Sequence, residues 1–287
     1  MAVYDRHYKP FEGTLTSERW RFLVPTRYAF SEVFASRRFL AYYLLCYLAP
    51  IVGSLMIYLH HNTEALRVLK IESARQLLPI GAGFFEWFTW FQSIQLYLVV
   101  LVVGPTLISA DLTNNALALY LSRPFSRSEY LLGKFAVIAI LGGAITFVPL
   151  SLMLLLQSYL EGSTWLVDHW RFAIGTTLWP MAWILVTGLM ALAFSAWLRW
   201  RPVATGLLVA IYLASGAFGG MINGVFSTRL GDLVSMPMII ASILRSIYHG
   251  QTASGLPALA FWAALFAISA LSLLMLRAKV RAYEVVR

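Results

Sequence analysis

The chain has 287 residues, 60% of them hydrophobic and 12% charged, with a formal net charge of +9. Soluble domains carry about a quarter of their residues as charged groups, so this balance excludes an ordinary soluble protein and indicates an all-α polytopic membrane protein. One cysteine excludes a disulfide framework and a Cys-based metal site.

Residues 1–38 read as a cytoplasmic arm and 39–287 as one transmembrane domain. The arm carries Arg6, Lys9, Arg19, Arg21, Arg27, Arg37 and Arg38. Thr26 reads as a helix N-cap, and Phe30, Val33 and Phe34 give an apolar face beside Arg27, Arg37 and Arg38. That pattern predicts an amphipathic helix in the membrane interface, its basic groups near anionic lipid. Crossing a bilayer core of about 30 Å takes roughly 20 apolar residues at about 1.5 Å each. Six runs qualify, at 39–59, 87–109, 135–157, 172–198, 203–221 and 256–276, and none contains Asp, Glu, Lys or Arg. They are continuously apolar rather than alternating, which predicts helices and not a β-barrel. The first run lacks a small-residue cleavage site and reads as a span, not a removable signal peptide.

With six spans both termini share a side. Sixteen of the 22 Lys and Arg residues fall on that side and six on the other, which places both termini in the cytoplasm and the chain, multi-pass, in the plasma (inner) membrane. The positive charge is thus topological. No basic residues interleave with exposed aromatics in a soluble module, so nucleic acid is not an expected partner. Trp87, Trp90, Trp165, Trp170, Trp197 and Trp200 cluster near span ends, where amphipathic rings anchor at the headgroups.

The first outer segment, residues 60–86, reads as a short surface helix followed by a turn at 79–83, too small for a receptor domain. Between spans two and three, residues 111–122 read as a cytoplasmic helix. Asp111, Asn114, Asn115 and Ser122 form a narrow polar stripe, while Leu112, Leu117, Leu119, Tyr120 and Leu121 cover the rest. Pro124 stops this helix at Arg123. Ser126 and Glu129 then form a capping box, and Phe125 with Tyr130 a hydrophobic staple. Gly104-Pro105, Pro149 and Pro180 mark kinks in spans two, three and four. Gln92, Gln95, Gln157 and Asn223 are the strongly polar side chains in or beside the spans, and either line a path or bond between helices. After the glycine-rich end of span five, Leu233, Ile240, Ile243, Leu244 and Ile247 predict an outer helix, re-entrant or interfacial.

The run Ile108-Ser109, Asp111, Leu117, Leu119, Leu121 and the block from Ser122 through Pro124, Phe125, Ser126, Arg127, Ser128, Glu129 and Tyr130 to Gly133-Lys134 resembles the segment between the second and third spans of ABC type 2 exporter permeases. Where members of that family carry Gly-Thr and several acids, this chain has Leu112, Thr113, Asn114, Asn115 and Ala116, so the segment reads as a mechanical rather than an electrostatic contact. The resemblance implies a coupling helix and elbow against cytoplasmic ABC ATPase subunits, formed by Asp111, Asn115, Leu117, Tyr120, Leu121, Pro124, Phe125, Arg127 and Glu129. It also implies a homodimer or a pseudo-symmetric permease pair in the lipid bilayer, and ATP with Mg held by the partner rather than by this chain.

The residues agree on where the energy must come from. A phosphate-binding loop needs Gly, four residues, then Gly-Lys-Ser/Thr; around Gly133-Lys134, Ser128 and Phe135 stand where Gly and Ser/Thr are required. Ion coupling would place ionisable groups inside the spans. No His falls within a span to serve an intramembrane protease or metal enzyme. The expected function is the permease subunit of an ATP-driven exporter, with hydrolysis on a separate chain. The alternatives are a non-transporting anchor or regulator of an ATPase, and an intramembrane enzyme.

Overall fold

The computed structural model describes residues 22–62, 64, 67, 79–114, 126–162, 164–198 and 200–279. Among them are helices and no strands, and six helices are long and apolar enough to cross a membrane. An arm helix, α1 (Leu23–Phe34), precedes span one, which is made of α2 (Arg37–Leu45) and α3 (Leu48–His61). Span two is the single helix α4 (Ala82–Thr113), and span three comprises α5 (Arg127–Ile145) and α6 (Phe147–Glu161). The short α7 (Trp165–Asp168) leads into span four, α8 (Trp170–Trp197), and then span five, α9 (Arg201–Phe226). A 3-10 turn, Leu230–Leu233, and α10 (Met236–His249) come before span six, α11 (Ala258–Lys279).

Spans one, two, three and five extend past their apolar runs at both ends, because helices end at caps and breakers rather than where hydrophobicity fades. Span one starts where Ser36 accepts from the Phe39 amide, and span five where Pro202 sits in the first turn. Pro180 leaves span four uninterrupted, whereas span three breaks at Thr146, three residues before Pro149. The surface helix expected in 60–78 falls mostly outside the described residues.

Thr26 does not cap α1. The helix begins three residues earlier, at Leu23, with Pro25 tolerated in its first turn. Thr26 is instead buried, and its hydroxyl donates to the Gly133 carbonyl of span three at 2.8 Å. The arm helix therefore packs on α5.

One end of the bundle, called here the arm end, gathers α1, the start of span three and the ends of spans two, four and six. Span two is the hub. Of its apolar stretch 67% is buried inside the chain, against 11% for span five. Its polar groups reach every side: Thr89 meets the Tyr248 hydroxyl of α10 at 2.8 Å, Ser93 accepts from Trp179 Nε1 at 2.8 Å, and the Tyr97 hydroxyl donates to the Leu208 carbonyl at 2.7 Å. With no water to satisfy them, such groups stay where they find partners, and so fix the neighbours.

The apolar face expected for the 233–248 helix is that of α10, with Ile239, Ile240, Ile243, Leu244 and Ile247 buried against spans two, four, five and six. Ser235 caps its start, which leaves Leu233 in the preceding turn. Span four passes it at Gly175, where a Cβ would fall 2.3 Å from the Tyr248 ring. Burial pushes the Tyr248 phenol well above its ordinary pKa, so it acts as a neutral hydrogen-bonding group.

Candidate functional site: the elbow at the arm end

Span three begins with the capping box that the sequence predicts. Ser126 holds extended backbone while its hydroxyl accepts from the Glu129 amide at 3.2 Å, and Glu129 Oε2 accepts from the Ser126 amide at 2.7 Å. Two orphan amides are thereby satisfied, and the Glu129 charge lies favourably at the helix N-terminus. One helical turn apart on the same face follow Tyr130 and Lys134, both buried.

What they face is Asp111. Lys134 Nζ lies 2.7 Å from Asp111 Oδ2, and the Tyr130 hydroxyl donates to the same oxygen at 2.7 Å. The ammonium also sits 5.6 Å from the centre of the Tyr130 ring. The side chains of Lys134 and Asp111 are only 8% and 15% exposed, so this is a nearly dry pair; removing either member would strand the other's charge. Asp111 does not open a separate helix, as its position in the polar stripe suggested. It occupies the last turn of α4, whose ladder continues through the Asn114 amide to the Ala110 carbonyl, with the Thr113 hydroxyl donating to Ser109. The acid is thus engaged within the chain, locking the end of span two to the start of span three.

Two further contacts stiffen this lock. At Gly133 the arm helix approaches so closely that a Cβ would lie 2.3 Å from the Phe22 carbonyl oxygen. Ser195 of span four inserts its hydroxyl into the backbone ladder of span two, accepting from the Ile108 and Ser109 amides at 3.0 and 2.9 Å and donating to the Pro105 carbonyl at 2.9 Å. Gly104 makes the approach possible, since a Cβ there would meet that of Ala191 at 2.5 Å. Pro105 has no amide proton for the Leu101 carbonyl, and the Thr205 hydroxyl of span five supplies one at 3.3 Å.

Of the residues assigned to the elbow from the sequence, Asp111 meets Tyr130 and Lys134, Glu129 closes the capping box on Ser126, and Arg127 is exposed in the first turn of span three. Asn115, Leu117, Tyr120, Leu121, Pro124 and Phe125 lie outside the described residues. Of the strongly polar side chains of the spans, Gln92, Gln95 and Asn223 bond between elements, whereas the buried Gln157 donates to Glu161 of its own helix at 3.4 Å. Gln92, fully buried, donates from Nε2 to the carbonyls of Cys46 at 3.3 Å and Ile145 at 2.5 Å. Gln95 accepts from the Tyr42 hydroxyl at 2.9 Å. Asn223 donates to Asp232 at 2.7 Å and accepts from the Gly231 amide at 2.8 Å, while Ser254 donates to the other oxygen of Asp232.

Sequence reasoning missed Lys134, Ser195 and Thr205. Lys134 had a legible signal, because a lysine about two turns inside an apolar helix needs an acid, and Glu129 and Asp111 are the acids that precede it in sequence. Ser195 and Thr205 had none, as small hydroxyl residues are common in membrane helices. At the opposite end, His61 and Glu161 lie 3.1 Å apart and His249 and Glu86 2.8 Å apart. Among the described residues no three His, Cys, Asp or Glu side chains come together as metal ligands. No protein-family model and no curated protein matches the chain.

Proposed function

We propose that the chain is the membrane-spanning permease subunit of an ATP-driven ABC exporter, lying in the plasma membrane with its arm end in the cytoplasm. The observation that carries this reading is the elbow. The capping box, the Asp111–Tyr130–Lys134 lock and the docked arm helix hold the two ends of the 115–125 segment in a fixed relation. That segment is rich in apolar residues, among them Leu117, Leu119, Tyr120 and Leu121. A force applied there passes into spans two and three together, which suits a contact for a separate ATPase acting from the cytoplasm. Span two then carries the displacement to its neighbours through its buried hydrogen bonds. The sixteen basic residues on the arm side support the orientation, and α10, packed among spans two, four, five and six, is a re-entrant helix on the outer side.

The partner across the pathway is a second copy or a related permease. Along the outward face of span five, the small residues Gly206, Ala210, Ala217, Gly220 and Gly224 recur at intervals of four, seven, three and four residues, and all are exposed. Small residues at such spacing let membrane helices approach closely. ATP and Mg belong to the ATPase partner.

The test is a cysteine placed at Tyr120 or Leu121 in a chain with Cys46 replaced by Ala. Crosslinking in native membranes should join the permease to a nucleotide-binding subunit. Labelling of the new cysteine by a soluble maleimide without any such adduct would refute the contact.

A further inference from the structure

Spans one and three are each broken once, and one side chain of span two holds both breaks. In span one α2 ends at Leu45 and α3 starts at Leu48; in span three α5 ends at Ile145 and α6 starts at Phe147. Each restarted helix carries proline at its third position, Pro50 and Pro149. A helical carbonyl normally accepts from the amide four residues on. For Cys46 and Ile145 that residue is a proline, which has no amide proton and whose ring crowds the carbonyl. These two carbonyls are the ones to which Gln92 Nε2 donates, at 3.3 and 2.5 Å. A primary amide has two N–H bonds, one for each orphan. Because both accept from one nitrogen, the two breaks lie at the same depth.

The segments on either side of that level form two separate pairs. On the arm side, α1, α2 and α5 are joined through the Phe34, Phe39 and Tyr43 rings, the Tyr43 hydroxyl on the Leu141 carbonyl at 2.8 Å, and Thr26 on Gly133. On the far side, α3 packs on α6, with Gly53 against Met153 and His61 beside Glu161. At each break the proline has removed one backbone hydrogen bond that an unbroken helix would hold, which lowers the resistance to one pair turning relative to the other. The Gln92 amide is held through its nitrogen, since Oε1, although buried, has no hydrogen-bond partner among the described residues. A side chain held at one atom can follow two carbonyls that move together.

We infer that Gln92 is the pivot of a two-helix hinge, about which the arm-side halves of spans one and three swing as one body, together with α1 and the elbow, against fixed far-side halves. Within spans one and three, the hinge confines a push at the elbow to the arm-side halves. Its use in transport rests on the reading given above, but the hinge itself belongs to this chain alone.

The experiment is pulsed electron paramagnetic resonance on the full chain in lipid nanodiscs, without nucleotide or partner, so that absence of an ATPase would refute the transport reading and leave this result intact. One spin-label pair replaces the exposed Leu132 and Leu185 and reports the arm side; the other replaces Leu155 and Leu178 and reports the far side. Gln92→Met keeps the volume and removes both donors. It should widen the arm-side distance distribution about twofold and leave the far-side one unchanged. Pro50→Ala with Pro149→Ala, which returns the missing amide protons, should narrow the arm-side distribution. Equal widening of both pairs in Gln92→Met, no widening, or an unchanged arm-side width in the double proline variant would overturn the hinge. The proline arm decides the matter if Gln92→Met fails to fold.

Discussion

Span two and span five have nearly the same mean hydropathy, 1.9 and 1.7, yet 67% of one apolar stretch is buried within the chain and 11% of the other. The difference lies in their polar and small residues. In span two, Gln92, Ser93 and Tyr97, with the backbone amides of Ile108 and Ser109, hydrogen-bond to spans one, three, four and five. In span five the glycines at 206, 220 and 224 face outward, with no atom within 4 Å of where a Cβ would stand. Hydropathy puts a helix into the bilayer; it does not say where in the bundle the helix goes. Buried donors and acceptors choose neighbours within the chain, and a smooth row of small residues leaves a face open to another chain.

That contrast can be broken from either side. The largest expected effect is at the elbow, where Lys134→Met leaves the Asp111 carboxylate stranded and should cost about 3 kcal/mol of stability. Asp111→Asn in the same chain should recover most of the loss, a coupling that thermal unfolding of the four chains in detergent would measure. Ser195→Ala, which removes an acceptor from the amides of Ile108 and Ser109 and a donor from the Pro105 carbonyl, should cost about 1–2 kcal/mol, because membrane-buried hydrogen bonds are individually modest. At the small end, Gly220→Leu should change the stability of the single chain by no more than about 0.5 kcal/mol, since its surroundings are open. On the reading proposed above, wild-type chain should run as a dimer in native mass spectrometry and the same substitution should abolish it; a dimer that persists would show that span five is a lipid-facing surface only.

Much of this arrangement was legible in the sequence, and the limit was set by distance along the chain. Bilayer thickness enforces the six spans, and the Ser126–Glu129 box depends on residues three apart, so both could be read locally. The apolar spacing of α10 was equally plain. Contacts that depend on how helices cross were not. Gln92 is a single polar residue in an apolar run, and its role appears only when Cys46 and Ile145 are brought to it from two other spans. Thr26 resembled a cap because threonine caps helices, and only packing of the arm on Gly133 gives its hydroxyl another partner. Asp111 looked like a lone remnant of an acidic patch until the fold set Lys134 and Tyr130 against it.

On the proposed reading, the elbow receives work from a separate ATPase. The most direct measurement is ATP hydrolysis in the material that co-purifies with the full chain from native membranes in mild detergent, for the wild type and for Asp111→Asn with Lys134→Met. The expected result is a vanadate-sensitive ATPase that accompanies both chains, with hydrolysis stimulated by the wild type and at least several-fold less by the variant. Intact, dimeric chain eluting with no ATPase activity, or with activity indifferent to the elbow, would contradict it.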